Sequence, residues 1–356
     1  MGGHTTRTRG WLTRTFALAL VLAVLIAACT VEELATPSPT ASPRPTPTLP
    51  STPVPLVVGL GYIPSVQFAP FYLGVQRGYY RDSALEVTLE NKIDPDLVPL
   101  VGQGNVDVGV ADGTSVITAR SQDIPIRYVA TIYARFPSVV FALTSSGIRT
   151  AADLRGKRIG IPGRYGSSYI MLQAVLDSAD LTLDDLTLVD FPDFTQAEGV
   201  AQGRVDAATG FVNNEPVQLQ LRGLEVTVLR VDEITPLPGP GLIASDETIA
   251  TNSEALRRFV AATLHAMDEI AADPQVGLEA AIARVPELGS DRNAQLAILQ
   301  ATIDTWKSPY TLAHGLGAID RAAWSVSIDF MKTLPDLVAA PVTVGDMVTI
   351  ELLPAS

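Results

Sequence analysis

Apolar residues along the body of this chain follow two rhythms that take turns. Residues 56–60 form a short, unbroken apolar run, which predicts a buried strand of a parallel sheet. A turn rich in Gly and Pro follows, and then Phe71, Tyr72, Val75 and Tyr79 recur at helical spacing. Residues 86–89 alternate apolar and polar, predicting a second strand. A short helix over 96–101, ended by the glycines at 102 and 104, leads to a third strand over 106–110. The order then starts again, with strand 157–161, loop 162–167, helix 168–178 and strand 186–189. Strands alternating with helices build open parallel α/β sheets. Such sheets collect ligands beyond the carboxyl ends of their strands.

The restart is an internal repeat. Gln103-Gly104-Asn105-Val106-Asp107 returns as Gln202-Gly203-Arg204-Val205-Asp206, 99 residues later. The same offset sets Gly61 on Gly160, Asp94 on Asp193, and Val87 and Leu89 on Leu186 and Leu188. One register held over so long a stretch indicates two copies of one supersecondary unit. Two α/β lobes with a cleft between them are therefore expected. Residues 139–143 are expected to lead out of the first lobe, and 242–245, after the breaker run 236–240, to return to it. Lobe one then comprises 56–143 and 242–356, and lobe two 144–241. The remainder reads as helical: Leu256, Phe259, Val260, Leu264, Met267 and Ile270 follow Ser253 at helical spacing and belong in a core. Further helices are expected over 296–306 and 320–331.

The first 55 residues have a different character. Arg7, Arg9 and Arg14 precede an apolar run over 16–28 that ends in Ile26-Ala27-Ala28-Cys29, and Cys29 is the single cysteine of the chain. A basic head, a short apolar core and small residues at a cut site read as a secretory signal peptide, residues 1–28. The core of about 13 residues falls short of the roughly 20 a membrane span needs. Ala-Ala-Cys resembles the bacterial lipobox, which implies lipidation of Cys29. Residues 29–55 are then a Pro/Thr/Ser-rich stalk, unable to bury a core and extended to about 80 Å at full stretch. Removing 1–28 takes away three arginines and no acid, so the formal charge moves from −13 to −16. So acidic a body disfavours nucleic acid as a partner.

Chemistry is narrowed by what the mature sequence offers. Its two histidines, His265 and His314, stand far apart, and no His/Cys/carboxylate cluster has metal-ligand spacing. No serine sits in a nucleophile elbow. The expectation is no metal, no cofactor and no catalytic residue. Binding loops are better represented. After the first strand, residues 61–72 crowd aromatics, prolines, a serine and a glutamine at a helix start, which makes Tyr62, Ser65, Gln67 and Phe68 candidates; Phe71 and Tyr72 fit a plain core equally well. The matching loop of the second copy holds Arg164, Tyr165 and Ser167, with Gly and Ser at a helix start suited to a polar or anionic group. Asp112 ends one third strand; Phe211, Asn213 and Glu215 end the other. Tyr133 stands near the crossover, and Asp193 adds an acid in lobe two.

Signal, lipobox, stalk, two-lobed repeat, the run Gly61-Tyr62-Ile63-Pro64-Ser65-Val66-Gln67-Phe68-Ala69-Pro70-Phe71-Tyr72 and Asn213-Asn214-Glu215-Pro216-Val217-Gln218 together resemble the solute-binding proteins of bacterial ABC importers. The resemblance covers about residues 56–340. It is to the group that includes binders of thiamine pyrimidine precursors, riboflavin, and alkanesulfonates or nitrate. It implies a type II periplasmic-binding-protein-like fold, each lobe an open, mostly parallel sheet flanked by helices. It also implies a non-enzymatic, monomeric receptor, lipid-anchored to the outer face of the cell membrane, that hands a small molecule to an ABC permease. Riboflavin is the favoured ligand and a thiamine pyrimidine precursor the next; the alternatives are an alkanesulfonate or nitrate binding protein and an extracytoplasmic enzyme of the pyrimidine-synthase type. On that reading Tyr62, Phe68, Tyr165 and Phe211 pack on rings, while Ser65, Gln67, Asp193, Asn213 and Glu215 read polar edges. Members with this loop often carry Asn where Ser65 stands. Enzymes of the superfamily that build the thiamine pyrimidine use their own histidine and a cysteine-rich loop, and this chain has neither at the corresponding place.

Overall fold

Two five-stranded sheets, built the same way, carry the fold of residues 52–354, the part described by the computed structural model. The signal segment, Cys29 and the stalk up to residue 51 lie outside the described residues. The strands are β1 (Val54–Leu60), β2 (Leu85–Asn91), β3 (Val108–Asp112), β4 (Ile126–Thr131), β5 (Ser138–Leu143), β6 (Arg158–Ile161), β7 (Thr187–Asp190), β8 (Ala207–Phe211), β9 (Val226–Arg230) and β10 (Pro240–Ser245). Their orders are β2-β1-β3-β10-β4 and β7-β6-β8-β5-β9. In each sheet only the fourth strand, β10 or β5, runs against the others. That strand is the one entered directly after the chain has crossed from the other sheet.

The expected lobe boundary moves accordingly. Residues 139–143 do not lead out of lobe one; β5 lies inside the second sheet, between β8 and β9. Val139, Val140 and Phe141 are fully buried there. The two crossings are residues 132–137 and 231–239. The body also starts earlier than expected, since Val54 and Pro55 already belong to β1. Proline is tolerated at that point because β3 begins opposite Val58, leaving Pro55 with a strand on one side only.

The repeated motif has a mechanical meaning. Gly104 (φ 73°) and Gly203 (φ 68°) end their helices in the left-handed region, where a side chain would be strained. The valine of each motif, Val106 or Val205, is buried. Each aspartate then reaches across to the first strand of its copy: Asp107 Oδ2 accepts from the Val57 N–H at 2.7 Å, and Asp206 Oδ2 from the Arg158 N–H at 2.8 Å. The Arg158 guanidinium also bonds Asp206 and holds its carboxyl below the usual range. Register corrects one equivalence. Val58 pairs with Val108, and Ile159 with Ala207, so Gly160 answers to Gly59 rather than Gly61. The connection from first to second strand is two residues longer in the first copy.

A helical layer closes the first sheet. Its longest element, Asp246–Ala272, begins at Ser245, whose hydroxyl accepts the Thr248 N–H, and kinks at Asn252 (φ −121°, ψ 22°). Beyond the kink lies the amphipathic stretch expected from the helical spacing, with Leu256, Phe259, Val260, Met267 and Ile270 almost wholly buried. Phe259 stacks on Tyr80 at 5.1 Å and faces Phe71 at 6.5 Å. Phe71 and Tyr72 are core residues. Among the described residues no helix is long and apolar enough to cross a membrane.

Candidate ligand-binding cleft

The carboxyl ends of β1 and β3 face those of β6 and β8 across a cavity of about 120 Å³. Tyr62, Gln67, Phe68, Asp112 and Tyr133 line it from the first sheet, and Tyr165, Ser167, Phe211 and Glu215 from the second. Nine of the thirteen ligand-contact residues expected from sequence thus meet in one place.

The floor is a polar knot that ties the two halves together. Ser65 starts the short turn Val66–Phe68, and its Oγ accepts from the Gln67 backbone (3.3 Å) and from Gln67 Nε2 (3.1 Å). So held, Gln67 Oε1 accepts from Asn213 Nδ2 at 2.9 Å and from the Tyr133 hydroxyl at 3.3 Å. Asn213 also donates to Thr302 Oγ1 at 2.8 Å and is fully buried. Burial pushes the Tyr133 phenol well above its ordinary range.

The wall from the second sheet carries a buried acid. Glu215 opens the helix Glu215–Leu221; its Oε2 accepts the Phe211 N–H at 2.8 Å and its Oε1 accepts from Asn214 Nδ2 at 3.1 Å. Gly210 is required beside it, because a Cβ there would stand 2.6 Å from Glu215 Oε2. Burial raises the Glu215 carboxyl to about 7, against the hydrogen bond from Phe211. Burial, and then the charge of Glu215, push the Tyr62 phenol up as well. Ser167 accepts a hydrogen bond from the Ser138 hydroxyl at 3.0 Å. Across the mouth, the Tyr62 ring meets Phe194 edge-on at 4.7 Å, and Tyr133 meets Phe211 at 6.5 Å.

Four expected contacts fall elsewhere. Ser65 and Asn213 sit behind the wall and position Gln67. Arg164 is exposed and turns into a separate groove with Tyr169 and Gln173. Asp193 is exposed, and its carboxylate accepts the Thr195 hydroxyl at 2.8 Å. The cleft instead takes Phe194, Gln196 and Asn214, which are not among the residues expected from sequence. A signal for the first two exists: residues 191–196 follow a second strand at its carboxyl end and hold two aromatics.

Residues 65–276 match the family described as NMT1/THI5 like. The chain is 35% identical over 350 residues to riboflavin-binding protein RibY of Chloroflexus aurantiacus, covering 96% of this chain and 98% of that one. It is 27% identical over 242 residues to 4-amino-5-hydroxymethyl-2-methylpyrimidine phosphate synthase of Aspergillus parasiticus, covering 64% of this chain and 70% of the enzyme. Its fold matches the alkanesulfonate-binding protein SsuA from Xanthomonas axonopodis pv. citri, solved bound to MOPS, with a TM-score of 0.66 at 18% identity over 85% of this chain and all of that one. The architecture is that of the periplasmic binding proteins. With a family match over more than half its length and a full-length relative, the chain belongs to the NMT1/THI5-like family.

Proposed function

We propose that this protein is the solute-binding component of an ABC-type importer and closes its two lobes over a flat heterocycle, riboflavin first and a thiamine pyrimidine precursor second. The observation that carries this reading is the aromatic wall on both sides of the cleft, Tyr62, Phe68 and Tyr133 facing Tyr165, Phe194 and Phe211. Ring-lined slots with few polar groups suit planar ligands. The full-length relative named as riboflavin-binding supports the same ligand. The anchor at Cys29 and the stalk extend the proposal to a receptor held outside the cell membrane, with a permease as its partner.

Charge argues against an anion. Among the described residues lining the cleft are two acids, Asp112 and Glu215, and no Lys, Arg or His. Arg164, on which a sulfonate or nitrate reading leaned, faces away. The lining also lacks the histidine and cysteine that the enzymatic reading requires. His265 packs on Tyr79 at 4.7 Å and His314 on Tyr310 at 4.1 Å, both away from the cleft.

Thermal unfolding tests the ligand class. Riboflavin at 100 times its dissociation constant should stabilise the protein by about 2.7 kcal/mol. A shift with taurine or nitrate and none with riboflavin or hydroxymethylpyrimidine would sink the aromatic-cleft reading. Native mass spectrometry of the protein purified from its host separates flavin, pyrimidine and sulfonate by mass.

A further inference from the structure

Most polar groups of the cleft are matched within the protein. Gln67 is held by Ser65, Asn213 and Tyr133, Ser167 by Ser138, and Glu215 by Phe211 and Asn214. Gln196 is different. It stands in the cleft wall as the first residue of the helix Gln196–Ala201 and is only 2% exposed. Its Oε1 has no hydrogen-bond partner among the described residues. A buried carbonyl oxygen without a donor is costly, and any ligand that brings a donor removes that cost.

The backbone beside it is unusual too. Phe194, two residues earlier, has φ 57°, a conformation that bulky side chains rarely adopt, and its ring lies edge-on to Tyr62. Such strain concentrates where a binding site over-determines the backbone. The turn thus sets an aromatic ring and an unmatched amide oxygen in one wall of one slot.

We propose that Gln196 is a specificity-determining residue: its side-chain amide pairs with the edge of a flat heterocycle that sets a ring N–H donor beside an acceptor. This rests on reading the cleft as a heterocycle site. An amide offers one acceptor and two donors in a plane, so it matches such an edge in register. A flexible hydroxylated tail would need several partners, whereas the aromatic pair Tyr62–Phe194 next to Gln196 favours a planar group.

Titration of the purified full-length protein with riboflavin, with lumiflavin (the same ring without the polyol), with N3-methylriboflavin and with the aminopyrimidine hydroxymethylpyrimidine tests it. Wild-type protein should bind riboflavin at least tenfold tighter than the N3-methyl compound, a comparison that needs no variant. Gln196→Met, which keeps the length and removes the amide, should weaken riboflavin and lumiflavin alike, by about tenfold to a hundredfold, and should no longer distinguish the methylated ligand. Its melting point without ligand should stay the same or rise, because an unmatched buried oxygen has gone. Unchanged flavin binding by Gln196→Met overturns the assignment. So does a loss confined to riboflavin, which would mean the polyol is read, or a fall of several degrees in the unliganded melting point, which would mark a structural role. Wild-type protein that binds neither flavin nor aminopyrimidine overturns the heterocycle reading and this assignment together.

Discussion

Glu215→Gln should raise stability at pH 8 by about 3 kcal/mol relative to wild type, and the two proteins should converge at pH 4. The Glu215 side chain is 5% exposed, and burial raises its carboxyl from 4.5 to about 7. In the unfolded chain the group loses its proton near pH 4.5, whereas in the folded protein it keeps the proton to about 7. Folding therefore takes up a proton between those values. The contribution of the neutral carboxyl is complete below the unfolded value and is lost as pH rises through 7. Glutamine keeps an oxygen for the Phe211 N–H and carries no charge, so it removes this slope. Urea unfolding at pH 4, 5.5 and 8 measures it. A wild-type stability that is flat from pH 4.5 to 8 would mean that the buried carboxylate is fully matched when ionised. The same group links stability to function, since above about pH 7, where it is ionised, it repels anionic ligands.

Phe259→Ala should cost about 3–5 kcal/mol and lower the melting point by on the order of 10 °C, with or without ligand. Phe259 is fully buried and stacked between Tyr80 and Phe71, so its removal leaves a cavity that a rigid aromatic cluster cannot collapse. Phe211→Ala should behave in the opposite way. Its ring is half-buried in the cleft wall, where a ligand rather than the core completes its surroundings. Affinity should fall by roughly tenfold to a hundredfold while the unliganded melting point changes little. Scanning calorimetry and ligand titration on both variants separate the two. A Phe211→Ala protein that melts as low as Phe259→Ala would assign that ring to the core.

The contrast between these two phenylalanines shows where sequence patterns are informative. Phe259 belongs to a long helical stripe, and the period of that stripe alone identifies it as core. Phe211 is placed by its position at the carboxyl end of a repeated third strand, where side chains meet a cleft. Tyr62, Gln67, Phe68 and Tyr165, which follow the first strand of each copy, and Glu215, which follows a third strand, are legible because they too stand beyond strand carboxyl ends. Arg164 and Tyr165 show the limit. They are neighbours, yet Tyr165 lines the cleft and Arg164 faces away. Which of the two turns inward depends on how the helix Gly166–Asp177 begins, and composition does not report that.

Local chemistry and periodicity by themselves determined the duplicated α/β plan, the glycine stops, the order of strand and helix, and the loops that form the cleft. The stops, the element order and the loops each depend on a few consecutive residues, and the duplication on one register held between two such stretches. Tertiary structure alone decided the rest. It assigned β5 to the second sheet, because the five apolar residues that follow Ser138 are satisfied in either. It joined Asn213 to Gln67 and Thr302, partners brought together from distant parts of the chain. It raised the Glu215 carboxyl, since burial belongs to the assembled cleft and not to the residue. It left Gln196 unmatched in the wall, because a hydrogen bond that the protein omits is visible only when every neighbour is in place.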